Sequence, residues 1–254
     1  MKKIFSLILL ILLMCSPCYA GVDFTPNSTI NCGTSVIGVN LSISAWINTS
    51  SATDAQIVSK DDDQAGGVRE FQFRTSGTKL QTIVFIGGNV GIATSGASVN
   101  TGSWVHVAGT YDGTTIRTYI NGSPDGTDAT YNGDADSSDD EVGIGARLSN
   151  AGAVIEEKFD GQITEVCLWN TALTADEISL LYSSRLKGIS LQIKPANLKL
   201  YLPLDDHASG TALNTTVFKD LSGNGNDGTG VDTDADSFTT AEILNYPPAI
   251  GQFN

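Results

Sequence analysis

The residues best suited to chemistry are clustered acids. Asp232, Asp234 and Asp236 alternate in VDTDADSFTTAEI, and alternate carboxylates in a tightly wound loop turn toward one hard cation at about 2.3–2.6 Å. Ser237 stands where such a loop has its turn glycine and Ile243 where it has its bidentate carboxylate, with Glu242 one residue early. A second run, Asp220-Leu-Ser-Gly-Asn224-Gly-Asn226-Asp227, sets oxygen donors around glycines; its alternative reading is a tight turn that needs Gly and Asn for positive φ. The loops 134–141 (DADSSDDE) and 61–63 concentrate like charge that water or a cation must neutralise. Calcium is the expected ion, with Asp220, Asn224, Asp227, Asp232, Asp234 and Asp236 as candidate ligands.

Nucleophilic catalysis is poorly served. The histidines are His106 and His207, and His106 alternates with Val105 and Val107 as a strand residue does. No Gly-x-Ser-x-Gly elbow or Cys-His pattern is present. Glycoside hydrolysis needs two carboxylates about 5–9.5 Å apart, which a single strand supplies from alternate positions on one face. No candidate strand has such a Glu-x-Asp-x-x-Glu run, and Glu156-Glu157 fall in a turn. The expectation is therefore a non-catalytic protein. Among the aromatics, Trp46 and Trp104 read as packing residues, whereas Tyr131, in YNGDADSSDDE, is the candidate for an exposed ring that stacks on a sugar.

The elements that must position these groups are short strands. β-prone runs at 42–47, 56–59, 70–74, 79–86, 104–111, 115–120 and 142–146 alternate with turn clusters, as in a sandwich or jelly roll. Asp112-Gly113 and Asn121-Gly122 are hairpin signals. In ITEVCLW, strict alternation puts Thr164, Val166 and Leu168 on one face and Ile163, Glu165, Cys167 and Trp169 on the other. A helix follows: Thr174 and Glu177 form a capping box, and Ile178, Leu181 and Tyr182 recur at helical spacing. LKLYLPL at 198–204 is a further strand, after which 207–254 reads as loop-like, with a short helix near 240–244.

Lys2 and Lys3, an apolar run from Ile4 to Met14 and Cys18-Tyr19-Ala20 make a secretory leader, with cleavage expected after Ala20. The formal charge of −14 becomes −16 once those two lysines leave, which disfavours nucleic acid and anionic membranes as partners. No later stretch is long and apolar enough for a membrane helix. Of four cysteines, Cys32 and Cys167 remain after cleavage. A single disulfide and two separate buried thiols both stay open.

SWVHVAGTYDGTTIRTYING (103–122) followed by FDGQITEVCLWNTALTADEISLLY (159–182) resembles the laminin-G-like domains of the concanavalin A-like lectin and glucanase superfamily, in a branch also similar to pentraxins. The resemblance implies an all-β, concanavalin A-like jelly-roll sandwich of two antiparallel sheets with one short helix, spanning 21–206, with 207–254 as a C-terminal extension packed on it. In that family a segment like LKLYLPLDDHASGT…DLSGNGNDGT precedes the sandwich, whereas here it follows, and a C-terminal strand closing the sheet is the favoured explanation. The loop at 220–227 is one that in such relatives packs on the sandwich and helps hold calcium, and the 232–243 loop resembles those of dockerin and thrombospondin type 3 repeats. The function implied is a secreted binding or adhesion module for a glycan or an extracellular protein, with calcium support. The alternatives are a structural component of an extracellular or virion-like assembly and a polysaccharide-active glycoside hydrolase.

Overall fold

The computed structural model describes residues 18–19, 21–24, 28–34, 38–62, 68–149, 154–184, 186–205, 216–232 and 244–245. Residues 1–17, Asp63, His207, Asp234, Asp236 and positions 240–243 of the helix expected near 240–244 lie outside them, while Leu244 is in a strand. The described residues form two antiparallel sheets of eight strands each, two further two-stranded pairs (Cys18–Tyr19 with Leu244–Asn245, Arg147–Ser149 with Val154–Glu156), one α-helix and one 3-10 turn. The first sheet runs Ser123–Pro124, Thr115–Ile120, Val105–Tyr111, Leu41–Asn48, Gly161–Trp169, Leu198–Leu202. Ala129–Thr130 sits beside Thr115–Ile120, and Val22–Phe24 beside Gly161–Trp169. The second runs Val217–Phe218, Gly228–Asp232, Ser28–Asn31, Gly143–Ile144, Ala55–Asp61, Arg69–Ser76, Lys79–Ile86, Asn89–Ser98. This is the jelly-roll sandwich of the concanavalin A-like class.

Alternation along the strands builds the core. Ile43, Ile47, Val107 and Leu200 of the first sheet meet Val58, Phe71, Phe73, Leu80 and Val84 of the second, all fully buried. The Asn121-Gly122 turn has both residues at positive φ, 49° and 78°, the conformation whose twist matches that of the flanking strands. A second apolar layer lies on the other side of the first sheet. There Tyr119, Cys167, Trp169, Leu198 and Tyr201 receive Ile178 and Leu181 of the helix Ala175–Ser184. Its capping box is formed: the Thr174 N–H donates to Glu177 Oε2 at 2.7 Å and the Glu177 N–H to Thr174 Oγ1 at 3.3 Å.

Two expectations need correction, and one open alternative is decided. Strict alternation fails in Gly161–Trp169, because the register shifts between Thr164 and Cys167. Glu165, at φ 52°, is the extra residue of a β-bulge. Ile163, Val166 and Leu168 therefore face the inter-sheet core, while Cys167 and Trp169 face the helix. The same geometry decides the cysteines: Cys32 lies in the core between the sheets and Cys167 on the opposite side of the first sheet, so they are two separate buried thiols and not a disulfide. Finally, Gly- and Asn-rich composition at 207–254 suggests loop, yet Gly228–Asp232 pairs with Ser28–Asn31, and Val217–Phe218 pairs outside it. Leu198–Leu202 pairs with Gly161–Trp169, so segments after the helix extend both sheets. Asn89–Ser98 is likewise a strand that its Gly and Ser content conceals. At its Gly91 a Cβ would lie 2.6 Å from Ile116 Cδ1 and 3.1 Å from Tyr131 Cβ, so a larger residue there would make these neighbours shift.

Candidate binding face and the cavity at Glu165

The face of the second sheet turned away from the core carries a polar network over an apolar strip. In Arg69–Ser76 the phenylalanines 71 and 73 point inward, which by the two-residue period of a strand sends Gln72 and Arg74 outward. In Lys79–Ile86 the same rule sends out Gln81, Ile83 and Phe85. Asp61, fully buried, anchors the network. It accepts from Arg69 Nε at 2.6 Å and Nη2 at 3.1 Å, accepts from Gln72, and lies 3.8 Å from Arg147 Nη1. Arg69 is held with its guanidinium 4.2 Å above the Phe85 ring, a cation–π arrangement that hides the ring from water.

Arg74 bridges Gln81 Oε1 at 3.2 Å and Glu157 Oε2 at 3.4 Å. Gln56 Nε2 donates to the same Glu157 oxygen at 2.6 Å, and Arg147 Nη2 pairs with Glu156 at 2.5 Å. Beside these groups lie the aliphatic side chains of Val90 and Ile92, 46 % and 42 % exposed. Two adjoining depressions share Arg69 and Phe85. One, of about 190 Å³, also takes in Gln72, Arg74, Ile83 and Glu157; the other, of about 430 Å³, reaches Val68, Gly87, Gly88 and Asp136. Together they form a shallow groove in the size range of small-ligand sites. These residues were absent from the sequence-derived site, although the outward positions of 70–74 and 79–86 carried the signal.

Tyr131, the expected stacking residue, is not part of this groove. Its ring packs partly buried against the inter-sheet core beside Gly91, and its loop is tied down by the Tyr111 hydroxyl, which donates to the carbonyls of Tyr131 and Gly133 at 2.9 and 2.5 Å. A polar sequence context thus concealed a packing role.

The acidic loops differ in how far their oxygens are used. Asp220 Oδ1 accepts from the N–H groups of Tyr201 and Ser222, and Oδ2 from Ser222 Oγ and the Asn226 N–H, at 2.8–3.0 Å. Asn224 Nδ2 donates to the Leu198 carbonyl at 2.8 Å, while Asp227 pairs with Lys219 at 2.5 Å and accepts the Asp220 N–H. The structure brings these three together as a brace docked on Leu198–Leu202, with the Asp220 oxygens spent on protein donors. Asp232 ends the neighbouring strand Gly228–Asp232. In the 134–141 loop, by contrast, Asp140 Oδ2 and Glu141 Oε2 are buried without a hydrogen-bond partner, as is Oε1 of Glu70 beneath them. Glu70 forms a buried ion pair with Lys60 at 2.8 Å, and both bond to the backbone of Ser138. Burial nevertheless pushes its carboxyl above the usual range. Among the described residues no three His, Cys, Asp or Glu side chains converge as a metal site.

On the far side of the first sheet a narrow cavity of about 20 Å³ is lined by Ser44, Trp46, His106, Glu165, Cys167 and Ser190, among others. Such a volume holds about one water, so no sugar ring enters. Burial pushes the Glu165 carboxyl up to about 7, even though the Tyr201 hydroxyl donates to its oxygens at 3.0–3.1 Å. The repulsion of Asp205 adds to the rise. His106 is pushed down to about 3 by burial and is a neutral imidazole, its Nε2 3.1 Å from Ser44 Oγ and its ring against Trp46. Burial raises the Cys167 thiol well above its ordinary value, which leaves little thiolate to act as a nucleophile.

Residues 23–179 match the family model of the concanavalin A-like lectin/glucanases superfamily in its laminin-G form, and the chain belongs to that family. Among curated proteins none matches. Solved structures that share the fold include a candidate carbohydrate binding protein from Bacteroides ovatus (TM-score 0.61, 20% identity, covering 84% of this chain and 58% of that one). The native heptameric SAP-like pentraxin from Limulus polyphemus is also similar (0.53, 19%, 66% and 83%), as is the CBM40 of a Ruminococcus gnavus sialidase bound to α2,3-sialyllactose (0.52, 13%, 64% and 96%). At these identities the likeness establishes the fold. The chain spans under two thirds of the Bacteroides protein. Among the described residues no helix is long and apolar enough to cross a membrane.

Proposed function

We propose that this protein is an extracellular, non-catalytic binding module that recognises carbohydrate through the outer face of its second sheet. The observation that carries the reading is the groove in which Arg69, Gln72 and Arg74 are held by buried or half-buried partners beside the exposed aliphatic side chains of Val90 and Ile92. Fixed planar donors beside an apolar surface suit a sugar ring, which has hydroxyls at its edge and C–H groups on its faces. The fold's occurrence in carbohydrate-binding proteins supports it. A hydrolase is disfavoured because the two carboxylates that line the groove are spent, Glu157 on Arg74 and Gln56 and Asp136 on the backbone N–H groups of Gly87 and Gly88. The carboxyl raised to about 7, Glu165, lies on the other sheet in a cavity too small for substrate.

Calcium would act as a structural support, and the 134–141 loop, with unspent oxygens on Asp140 and Glu141, suits it better than the Asp220–Asp227 brace. The test is glycan-array binding of the chain from Gly21, with calcium and with chelator, beside Asp140→Asn and Asp220→Asn. Binding of a glycan is expected. Calcium is expected to raise the melting temperature, as any ligand of the native state does, and Asp140→Asn to abolish that rise while Asp220→Asn keeps it. An unchanged melting temperature would end the calcium proposal. Self-association with no response to any sugar would favour the second reading, a structural interaction protein, for which the exposed Val68, Val90 and Ile92 provide an apolar contact.

A further inference from the structure

We infer that the groove selects neutral, hydroxyl-rich saccharides over acidic ones; the inference rests on the carbohydrate reading above and narrows it. It comes from the distribution of charge. Arg69, Arg74 and Arg147 lie on one face of a chain with a formal charge of −14, an arrangement that at first sight suggests a site for an anionic sugar. Every one of these guanidiniums is matched, however. Arg69 is bidentate to Asp61, Arg147 pairs with Glu156 and approaches Asp61 and Glu157, and Arg74 lies between Glu157 and Asp54. Three positive charges thus face Asp61, Glu156 and Glu157, and the rim adds Asp54 and Asp136. The groove carries no positive excess.

An incoming carboxylate or sulfate would have to draw an arginine from its partner. For Arg69 that would leave Asp61, 0 % exposed, as a buried charge with a weakened pair, an arrangement that is costly in a low-dielectric site. A neutral saccharide makes no such demand. Arg69 spends two of its N–H groups on Asp61 out of the five a guanidinium has, and keeps the others for hydroxyl oxygens. Glu157, half-buried at the groove, in turn has lone pairs to accept hydroxyl protons. The exposed Val90 and Ile92, backed by the buried Ile83 and Phe85, supply the apolar contact for C–H faces.

The experiment is calorimetric titration of the chain from Gly21 with neutral gluco-, manno-, xylo- and arabino-oligosaccharides. Oligogalacturonate and sialyllactose serve as the acidic arm, and both arms are run at low and at near-molar salt. A neutral ligand is expected to bind with an affinity that salt changes by less than about twofold, since neither partner brings unmatched charge. Arg74→Gln and Ile92→Ser are expected to weaken it by about tenfold or more, through lost donors and lost apolar contact. Ile92 is 42 % exposed, so folding of that variant is not at stake. Binding confined to the acidic sugars, or falling steeply with salt, overturns the inference while leaving a carbohydrate-binding module. Neutral-sugar binding unaffected by both substitutions overturns it too, by moving the site elsewhere. Binding of no sugar in either arm removes the carbohydrate reading itself, and the inference with it.

Discussion

At the scale of single residues, Glu165 carries the sharpest prediction. Its left-handed backbone, φ 52°, is uncommon for a side chain with a Cβ, and it is held by the bulge that turns Cys167 and Trp169 toward the helix. Its carboxyl rises from 4.5 to about 7 on folding, by burial first. Between those values the folded state binds a proton that the unfolded chain has released, so this group's contribution to stability declines as pH rises through the window and is lost above about 7. Glu165→Gln removes that decline and can still accept from the Tyr201 hydroxyl. Paired denaturation curves should therefore show the variant gaining on wild type by roughly 2–3 kcal/mol between pH 5 and pH 8. A difference that stays constant with pH would mean that the carboxyl titrates normally. Other groups move in both directions, with His106 lowered to about 3 and Asp23 raised, so the test is the difference between the two proteins and not either curve alone.

At the scale of elements, the helix Ala175–Ser184 is a local signal confirmed by tertiary packing. Thr174 and Glu177 satisfy each other's N–H groups, and Ile178 and Leu181 are buried on the first sheet. Thr174→Ala should lower stability by about 1 kcal/mol, seen as a lower denaturant midpoint at unchanged slope. A changed slope would point instead to a helix that detaches before the sandwich unfolds. The strands divide by how much of their pattern is local. Lys79–Ile86 and Thr115–Ile120 match the runs read from sequence residue for residue, because β-branched and aromatic residues alternate between clear turns. Asn89–Ser98 was concealed by its Gly and Ser content although it pairs with the adjacent Lys79–Ile86, and Gly228–Asp232 because its partner Ser28–Asn31 is distant in the chain.

At the scale of the whole molecule, the first sheet is a wall with apolar layers on both sides, and it separates the two cysteines of the sandwich. A reductant should therefore leave the melting temperature unchanged, and denatured chain starting at Gly21 should react as two thiols per molecule. A lowered melting temperature in reductant would instead reveal a bond, whose loss typically costs about 2–5 kcal/mol. The two outer faces have different fates. The first sheet's is covered by the helix, Ile189–Gln192 and the Trp46–Tyr182 stack. The second sheet's keeps its groove open between paired arginines and exposed aliphatic groups, and it is where a ligand has room.

Much of this protein was legible in its residues: the sandwich class, most inner strands, the hairpin turns and the capped helix all rest on interactions within a few positions, and so leave a periodic trace. The candidate face was only half legible, because Gln72, Arg74 and Phe85 could be assigned outward, whereas nothing local brings Asp61, Arg147 and Glu157 to meet them. The packing of Tyr131 and of the Asp220–Asp227 run was hidden for the same reason, as the fold brings their partners Gly91, Tyr201 and Leu198 to them. Sequence alone settled the strands whose alternation is local, such as Lys79–Ile86 and Thr115–Ile120, and the capped helix. Tertiary structure decided the bulge at Glu165, the separation of Cys32 from Cys167, and which polar side chains assemble into one groove, since each depends on register between strands that only the folded sheets bring together.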